Sequence, residues 1–197
     1  MQAKGKSSEE EMISEWLKAE FWSPRFGKPI RKVLRQLKLS QNLLNHPNLN
    51  KPIENQKRKE VLWSYRQKLL TDFPQNISWE KISLSPEDLQ KIKYINYDYW
   101  VNLSDDSRLP AAAIKNINQG VRIFNQSNQP FIKAAKYLTK HGFFPKLILI
   151  ATQPRAQMVV LEGHLRLTAF LMEPAYMPLK LEAIIGYSLD FKNWHLY

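Results

Sequence analysis

The sequence predicts an α+β protein in which a helical N-terminal region packs on a small mixed α/β core. Two observations support this prediction. Apolar residues recur at helical spacing through most of residues 1–95, and short apolar runs of strand length alternate with helical segments in residues 96–197. We therefore divide the chain into a mainly helical basic region, 1–95, and a mixed core, 96–197.

The composition excludes several classes of site. The chain has no cysteine, which rules out disulfides, thiolate metal ligands and a cysteine nucleophile. None of its four histidines stands in the HxxxH or HExxH spacing of zinc sites, so we predict no structural or catalytic zinc site and assign no residue as a metal ligand. Residues 1–6 lack the apolar core of a signal peptide, and no run of about 18 apolar residues predicts a membrane span. We expect a cytoplasmic protein without a membrane partner, and the oligomeric state stays open.

Local signals place the helices of the first region. Ser8 followed by three glutamates is typical of a helix N-terminus. The pair Ser23-Pro24 predicts a second helix start, and an apolar stripe follows it at helical spacing. A third helix is predicted over residues 53–73.

The second predicted helix is unusually basic. Between Phe21 and Ile53 there are seven lysines and arginines and no acidic residue, within a chain of net charge +11. Such a cluster attracts polyanions, nucleic acid first. The candidate nucleic-acid-binding residues are Arg25, Arg31, Lys32 and Arg35. The alternative is a solvated helix face that keeps the protein soluble.

The rest of the sequence predicts helices that alternate with strands. In the middle section, Ser85-Pro86 predicts a short helix, and Ser104 predicts the cap of a helix reaching Ile117. The aromatic run 94–101 predicts a strand or an extended segment. Further along we predict a helix over 130–141 closed by Gly142, a hairpin of strands 146–151 and 158–161, a helix from Gly163 to Met172, and a strand over 179–187.

The segment from Met158 to Phe170 carries the most chemical information. Four apolar residues lead into Glu162-Gly163-His164, and helical spacing begins there. A strand that stops at a glycine and opens a helix gathers free backbone N–H groups at one point, which binds anions and above all phosphate. Without further support, the same residues also fit a plain turn glycine and a local Glu162–Arg166 ion pair.

The segment Leu161–Ala169 resembles a motif of the ParB/sulfiredoxin superfamily, in the branch with an acidic residue followed by Gly-His-x-Arg. Glu162, Gly163, His164, Arg166 and Ala169 match it, while a leucine replaces the second histidine and Thr168 a small residue. The likeness covers about residues 96–190, including the order of the flanking elements, and implies a ParB/sulfiredoxin-like core.

This resemblance implies a bound nucleoside triphosphate, ATP or CTP, together with magnesium. By resemblance, Gly163, Arg166 and Thr168 would bind the cofactor, and the catalytic residues would be Glu162 and His164. The implied activity is that of a phosphotransferase or nucleotide hydrolase. The planar guanidinium group of an arginine can donate two parallel hydrogen bonds to phosphate oxygens. Catalysis of phosphoryl transfer depends on positioning the reactants and neutralising their charge.

Two differences from the motifs of this superfamily argue against two of its known activities. Sulfiredoxins need a cysteine in this motif, so sulfinic-acid reduction is excluded. Partition proteins carry more arginines here and continue into a helix-turn-helix domain, so we do not expect a partition role. Two alternatives remain open: a DNA- or RNA-binding protein or nuclease of the ParB-like fold using the basic helix 24–38, and a non-catalytic interaction module.

Overall fold

The structure, a computed structural model, describes residues 1–142 and 144–197. The chain forms two compact units. The helical unit is Ser7–Gln75, and the sheet unit combines Met1–Lys6 with Asn76–Tyr197. This division differs from the predicted boundary at residue 95, because residues 76–95 contribute strands to the sheet.

Four helices build the helical unit: α1 Glu9–Phe21, α2 Gly27–Gln36, α3 Asn42–Asn45 and α4 Pro52–Arg66. Ser8 caps α1 as predicted, its hydroxyl accepting a hydrogen bond from the Glu11 backbone N–H at 3.2 Å. Ile30, Val33 and Leu34 of α2 are buried, whereas the charged residues Lys28, Lys32 and Arg35 are exposed.

Two predicted bounds in the helical unit are wrong. The Ser23 hydroxyl accepts from the Phe26 N–H at 2.9 Å, so it organises a turn, and α2 begins only at Gly27. The helix predicted to reach Phe73 ends at Arg66. Its continuation runs into Asp72, which has a φ of +55°, and into Phe73-Pro74, where proline disfavours helical geometry in the residue before it.

In the described part of the sheet unit, six strands form a mixed sheet: β1 Gln2–Lys6, β2 Ser78–Leu84, β3 Lys93–Tyr94, β4 Leu147–Ala151, β5 Val159–Glu162 and β6 Leu181–Tyr187. Their spatial order is β1-β2-β6-β4-β5-β3. The pairs β4–β6 and β3–β5 are parallel, and the other three pairs are antiparallel. The predicted α+β class is therefore confirmed.

The helices of the sheet unit are α5 Pro86–Lys91, α6 Asp98–Leu103, α7 Pro110–Asn118, α8 Gln129–His141 and α9 His164–Met172. Alternate strand residues such as Leu147, Leu149 and Val160 share one hydrophobic core with Leu167 and Phe170 of α9. All five residues of β4 are buried, so both faces of this strand are covered. This core fixes α9 at the end of β5.

The predictions for the second half are largely confirmed. The strands β4 and β5 form the antiparallel hairpin, and α9 ends at Met172. Gly142 closes α8 with a left-handed φ of +74°. Within the described residues, no helix has the length and apolar character that crossing a bilayer requires.

Three other predictions are wrong. The first region contains β1 and β2, which show little strand patterning and depend on pairing with distant partners. The aromatic run 94–101 begins in the two-residue β3 but then enters α6. The helix predicted from Ser104 begins only at Pro110, because Asp105, Asp106 and Arg108 have positive φ angles that a helix cannot hold.

Candidate functional site

Gly163 forms the turn between β5 and α9. Its φ of +105° is a conformation that side-chain-bearing residues rarely adopt. A Cβ at this position would lie 2.6 Å from Leu147 Cδ2 and 2.9 Å from Arg166 Nη2. Both the backbone angle and the crowding therefore require glycine at the point where the strand becomes the helix.

No side chain of the described residues caps the N-terminus of α9. The Leu167 N–H donates to the Gly163 carbonyl at 2.8 Å and closes the first turn. The N–H groups that precede Leu167 have no helical carbonyl to bind, and they stand at the positive end of the helix dipole. Nine residues of helix follow, so the turn has the local geometry of an anion site.

A buried ion pair occupies the same turn. Arg166 Nη2 donates to Glu162 Oε2 and, at 3.1 Å, to the Lys146 carbonyl. Glu162 is 8% exposed and Arg166 is 9% exposed, so both charges are removed from most solvent contact. Arg166 Nε is also buried and has no hydrogen-bond acceptor in residues 1–142 and 144–197. The guanidinium thus lies over Gly163 with donor capacity left unused.

The imidazole of His164 belongs to an aromatic cluster. Its ring stacks on Trp100 with centroids 4.8 Å apart and planes 13° apart. The Tyr94 ring lies 4.5 Å from Trp100 and 5.9 Å from His164. His164 and Trp100 are half-buried, whereas Tyr94 is fully buried. The cluster sets the orientation of the imidazole at the first position of α9.

Thr168 faces the protein interior. Its side chain is fully buried, and its hydroxyl donates to the His164 carbonyl at 2.8 Å. Tyr94 Oη lies 2.6 Å from the same hydroxyl and is the donor in that contact, because the threonine proton is already used. Burial raises the pKa of Tyr94, so the phenol stays protonated. Thr168 braces α9 from inside and has no open face for a cofactor.

The four basic candidates lie in the helical unit and have unequal surroundings. Arg31 Nη1 donates to the Phe21 carbonyl at 3.3 Å, and the Arg25 guanidinium lies 5.0 Å from the Phe26 ring centroid. Lys32 and Arg35 are exposed and line an open groove. Arg31, Lys32 and Arg35 lie on α2 as predicted, whereas Arg25 lies in the turn before it, and the sequence does not separate anchored cations from available ones.

Sequence reasoning missed three contributors to the turn. Tyr94 and Trp100 contact His164, and the Lys146 carbonyl accepts from Arg166. The aromatic run 94–101 is the available signal for the first two, but its alternation predicts a strand or an extended segment and not the helix that carries Trp100. No sequence signal indicates the carbonyl, since a backbone acceptor has no residue type.

The residues at this turn give little support for a magnesium-binding site. Its nearest candidate ligand, Glu162, is paired with Arg166. Across residues 1–142 and 144–197 there is no group of three or more histidines, aspartates and glutamates that could hold a metal ion. We therefore assign no step to magnesium.

Comparisons with known proteins give no family assignment. No protein-family model matches the chain, and neither the curated proteins nor the solved structures include a match.

Proposed function

We propose that the sheet unit binds a nucleoside triphosphate, with the phosphates at the N-terminus of α9. The observation that carries this proposal is the buried Arg166 guanidinium over Gly163, whose Nε has no acceptor among the described residues. It stands beside a helix N-terminus that no side chain caps. A buried donor of this kind is costly unless a ligand completes its hydrogen bonding.

The sequence resemblance supports the same ligand. The positions that match the ParB/sulfiredoxin motif, from Glu162 to Ala169, are the ones that form this turn. We further propose that the sheet unit belongs to that superfamily. Both proposals rest on the short motif and on the strand-to-helix geometry.

Binding changes the role of Glu162. In this structure its carboxylate is the anion that Arg166 contacts, so an entering phosphate competes with it for the same guanidinium. The unused Nε and the backbone N–H groups of α9 offer further donors on one side of the turn. Because Glu162 is engaged in this way, the proposal covers binding and includes no catalytic step for Glu162 or His164.

The test is a thermal-shift titration of the full chain with ATP, CTP, GTP, UTP and inorganic triphosphate. A ligand that binds only the folded state raises the melting temperature. At a hundredfold excess of ligand over Kd, binding increases the free energy of unfolding by about 2.7 kcal/mol. Inorganic triphosphate separates recognition of the phosphates from recognition of the base.

Two variants locate the binding site. Arg166→Lys retains the charge that balances Glu162 but loses the planar fork, and we expect its affinity to fall at least tenfold. Arg122→Ala removes an exposed arginine of the same unit and is expected to bind as the wild type does. The proposal fails if none of the five ligands shifts the melting temperature, or if Arg166→Lys binds with unchanged affinity.

A further inference from the structure

The helical unit carries a second feature that the α9 turn does not explain, an open groove on the surface of α2. Its volume is about 790 Å³, and it is lined by Lys28, Pro29, Arg31, Lys32, Leu34, Arg35, Leu39 and Gln41. Four of these eight residues are cationic and none is acidic. The groove is therefore a strongly positive surface, which we call the α2 groove.

Three of the four cations are available to a ligand. Lys28, Lys32 and Arg35 are exposed, and none has an ion-pair or hydrogen-bond partner within the described part of the chain. These residues stand four and then three positions apart, so they follow one face of the helix. From the first to the third, seven residues of helix span about 10 Å.

Arg31 has a different role. Its guanidinium donates to the carbonyl of Phe21, the last residue of α1, and lies 5.5 Å from the Phe21 ring centroid. Cations are favourable at helix C-termini, where carbonyls lack helical partners. Gly27 makes room for this contact, since a Cβ there would lie 2.5 Å from the Phe21 carbonyl oxygen. Arg31 therefore holds α2 against α1 and fixes the groove.

We propose that the α2 groove binds the phosphodiester backbone of a nucleic acid. The groove presents a row of unpaired cations along about two helical turns, beside apolar side chains such as Pro29 and Leu39. A nucleic-acid strand carries evenly repeated negative charge along with sugars and bases that have apolar surface. Both properties of the ligand thus have a counterpart in the groove.

A lipid surface fits this helix less well. Amphipathic helices that bind membranes turn their apolar face towards the acyl chains. In α2 the apolar residues Ile30, Val33 and Leu34 are buried within the protein, and the outward face is polar and charged. The outward face of α2 therefore lacks the apolar stripe that inserts among acyl chains, and Pro29 and Leu39 only flank its row of cations, which favours a dissolved polyanion over a membrane.

The experiment measures binding of the full chain to fluorescein-labelled 20-nucleotide probes by fluorescence anisotropy. Single-stranded DNA, duplex DNA and single-stranded RNA are compared at 50, 100 and 200 mM salt. All three probes have a phosphodiester backbone, so the comparison shows which kind of nucleic acid the groove prefers. We expect at least one probe to bind, with an affinity that falls steeply as salt rises.

The decisive variant is Lys28→Gln/Lys32→Gln/Arg35→Gln. We expect a Kd at least ten times higher and a salt dependence lower by about two to three in log–log slope, since each lost phosphate contact contributes about 0.7 to 0.9. The matched control, Lys57→Gln/Lys68→Gln/Lys133→Gln, removes three exposed lysines that do not line the groove. It loses the same net charge and should retain most of the affinity. Circular dichroism checks that both variants are folded.

Several outcomes would overturn the proposal. They are the absence of binding to all probes at 50 mM salt, an equal loss of affinity in the control variant, and displacement of the probe by poly-glutamate as effectively as by unlabelled nucleic acid. Groove-dependent sedimentation with phosphatidylcholine–phosphatidylserine vesicles, without nucleic-acid binding, would likewise assign the surface to another partner.

Discussion

Arg166 in the sheet unit and Lys32 in the helical unit are both cations on helices, yet their surroundings differ in almost every respect. Arg166 is nine-tenths buried and neutralised by Glu162 four residues earlier. Lys32 is exposed and lies in a stretch of more than thirty residues without an acid. A buried, paired cation recognises one anion with defined geometry, whereas an exposed row of cations attracts any polyanion.

The same contrast appears in the glycines beneath the two arginines that anchor these sites. Gly163 lies under Arg166, and Gly27 lies under Arg31. In each case a Cβ would come within about 3 Å of the guanidinium as well as another group. Only Gly163 also has a positive φ. Both its backbone conformation and the close packing therefore require glycine at the start of α9, whereas close packing alone requires glycine at the start of α2.

The largest expected effect comes from breaking the buried pair. Glu162→Ala leaves the Arg166 charge buried without its partner, and we expect the free energy of unfolding to fall by about 3–5 kcal/mol. Urea unfolding followed by circular dichroism measures the change.

The matched control is Glu182→Ala. Glu182 is exposed and forms a 3.6 Å ion pair with Lys146, and surface pairs of this kind contribute about 0–1 kcal/mol. Equal losses in the two variants would contradict the interpretation that burial makes the Glu162–Arg166 pair important.

An intermediate effect is expected from the two glycines. Gly163→Ala should cost about 2–4 kcal/mol, because a strained φ is combined with overpacking against Leu147. Gly27→Ala should cost about 1–3 kcal/mol, since overpacking acts alone on a helical backbone. The comparison is made by urea unfolding of both variants under identical conditions. A larger loss for Gly27→Ala would reverse the proposed difference between the two turns.

The smallest effect on stability is expected from Lys32→Gln. Its side chain is exposed and has no partner within the described residues, so the free energy of unfolding should change by less than about 0.5 kcal/mol. Its affinity for nucleic acid should nevertheless fall, by about two- to fivefold for one lost phosphate contact. Thermal unfolding and the anisotropy assay on the same sample separate the two quantities. A marked loss of stability would show that Lys32 supports the fold.

The part of the site that could be predicted from sequence is the part made by neighbours in the chain. The apolar run before Glu162, the glycine and the helical spacing after it are all contained in thirteen residues, and the structure places α9 where they predict it. The possible Glu162–Arg166 pair was also visible from the i, i+4 spacing typical of a helix, although Glu162 ends β5 and only Arg166 lies in α9.

The middle of the chain shows where such reasoning fails. The aromatic residues of 94–101 have strand propensity, but only Lys93–Tyr94 pairs with β5, and Asp98–Leu103 is helical. Propensity for strand depends on the surface against which the side chains pack. Here Trp100 packs against His164 and Phe131, from segments more than thirty residues away, and these contacts favour α6.

The sequence by itself determined the α+β class, the turn at Gly163, the start of α1 and the concentration of positive charge on α2, because each depends on residue type and short-range spacing. Tertiary structure decided which of these features is available to a ligand. It added β1 and β2 to the sheet, turned Thr168 towards Tyr94 and placed the Lys146 carbonyl beside Arg166. It also left Lys28, Lys32 and Arg35 without acidic partners among the residues that the structure describes. These outcomes depend on burial and on contacts between distant residues, whose free energies exist only once the chain has folded.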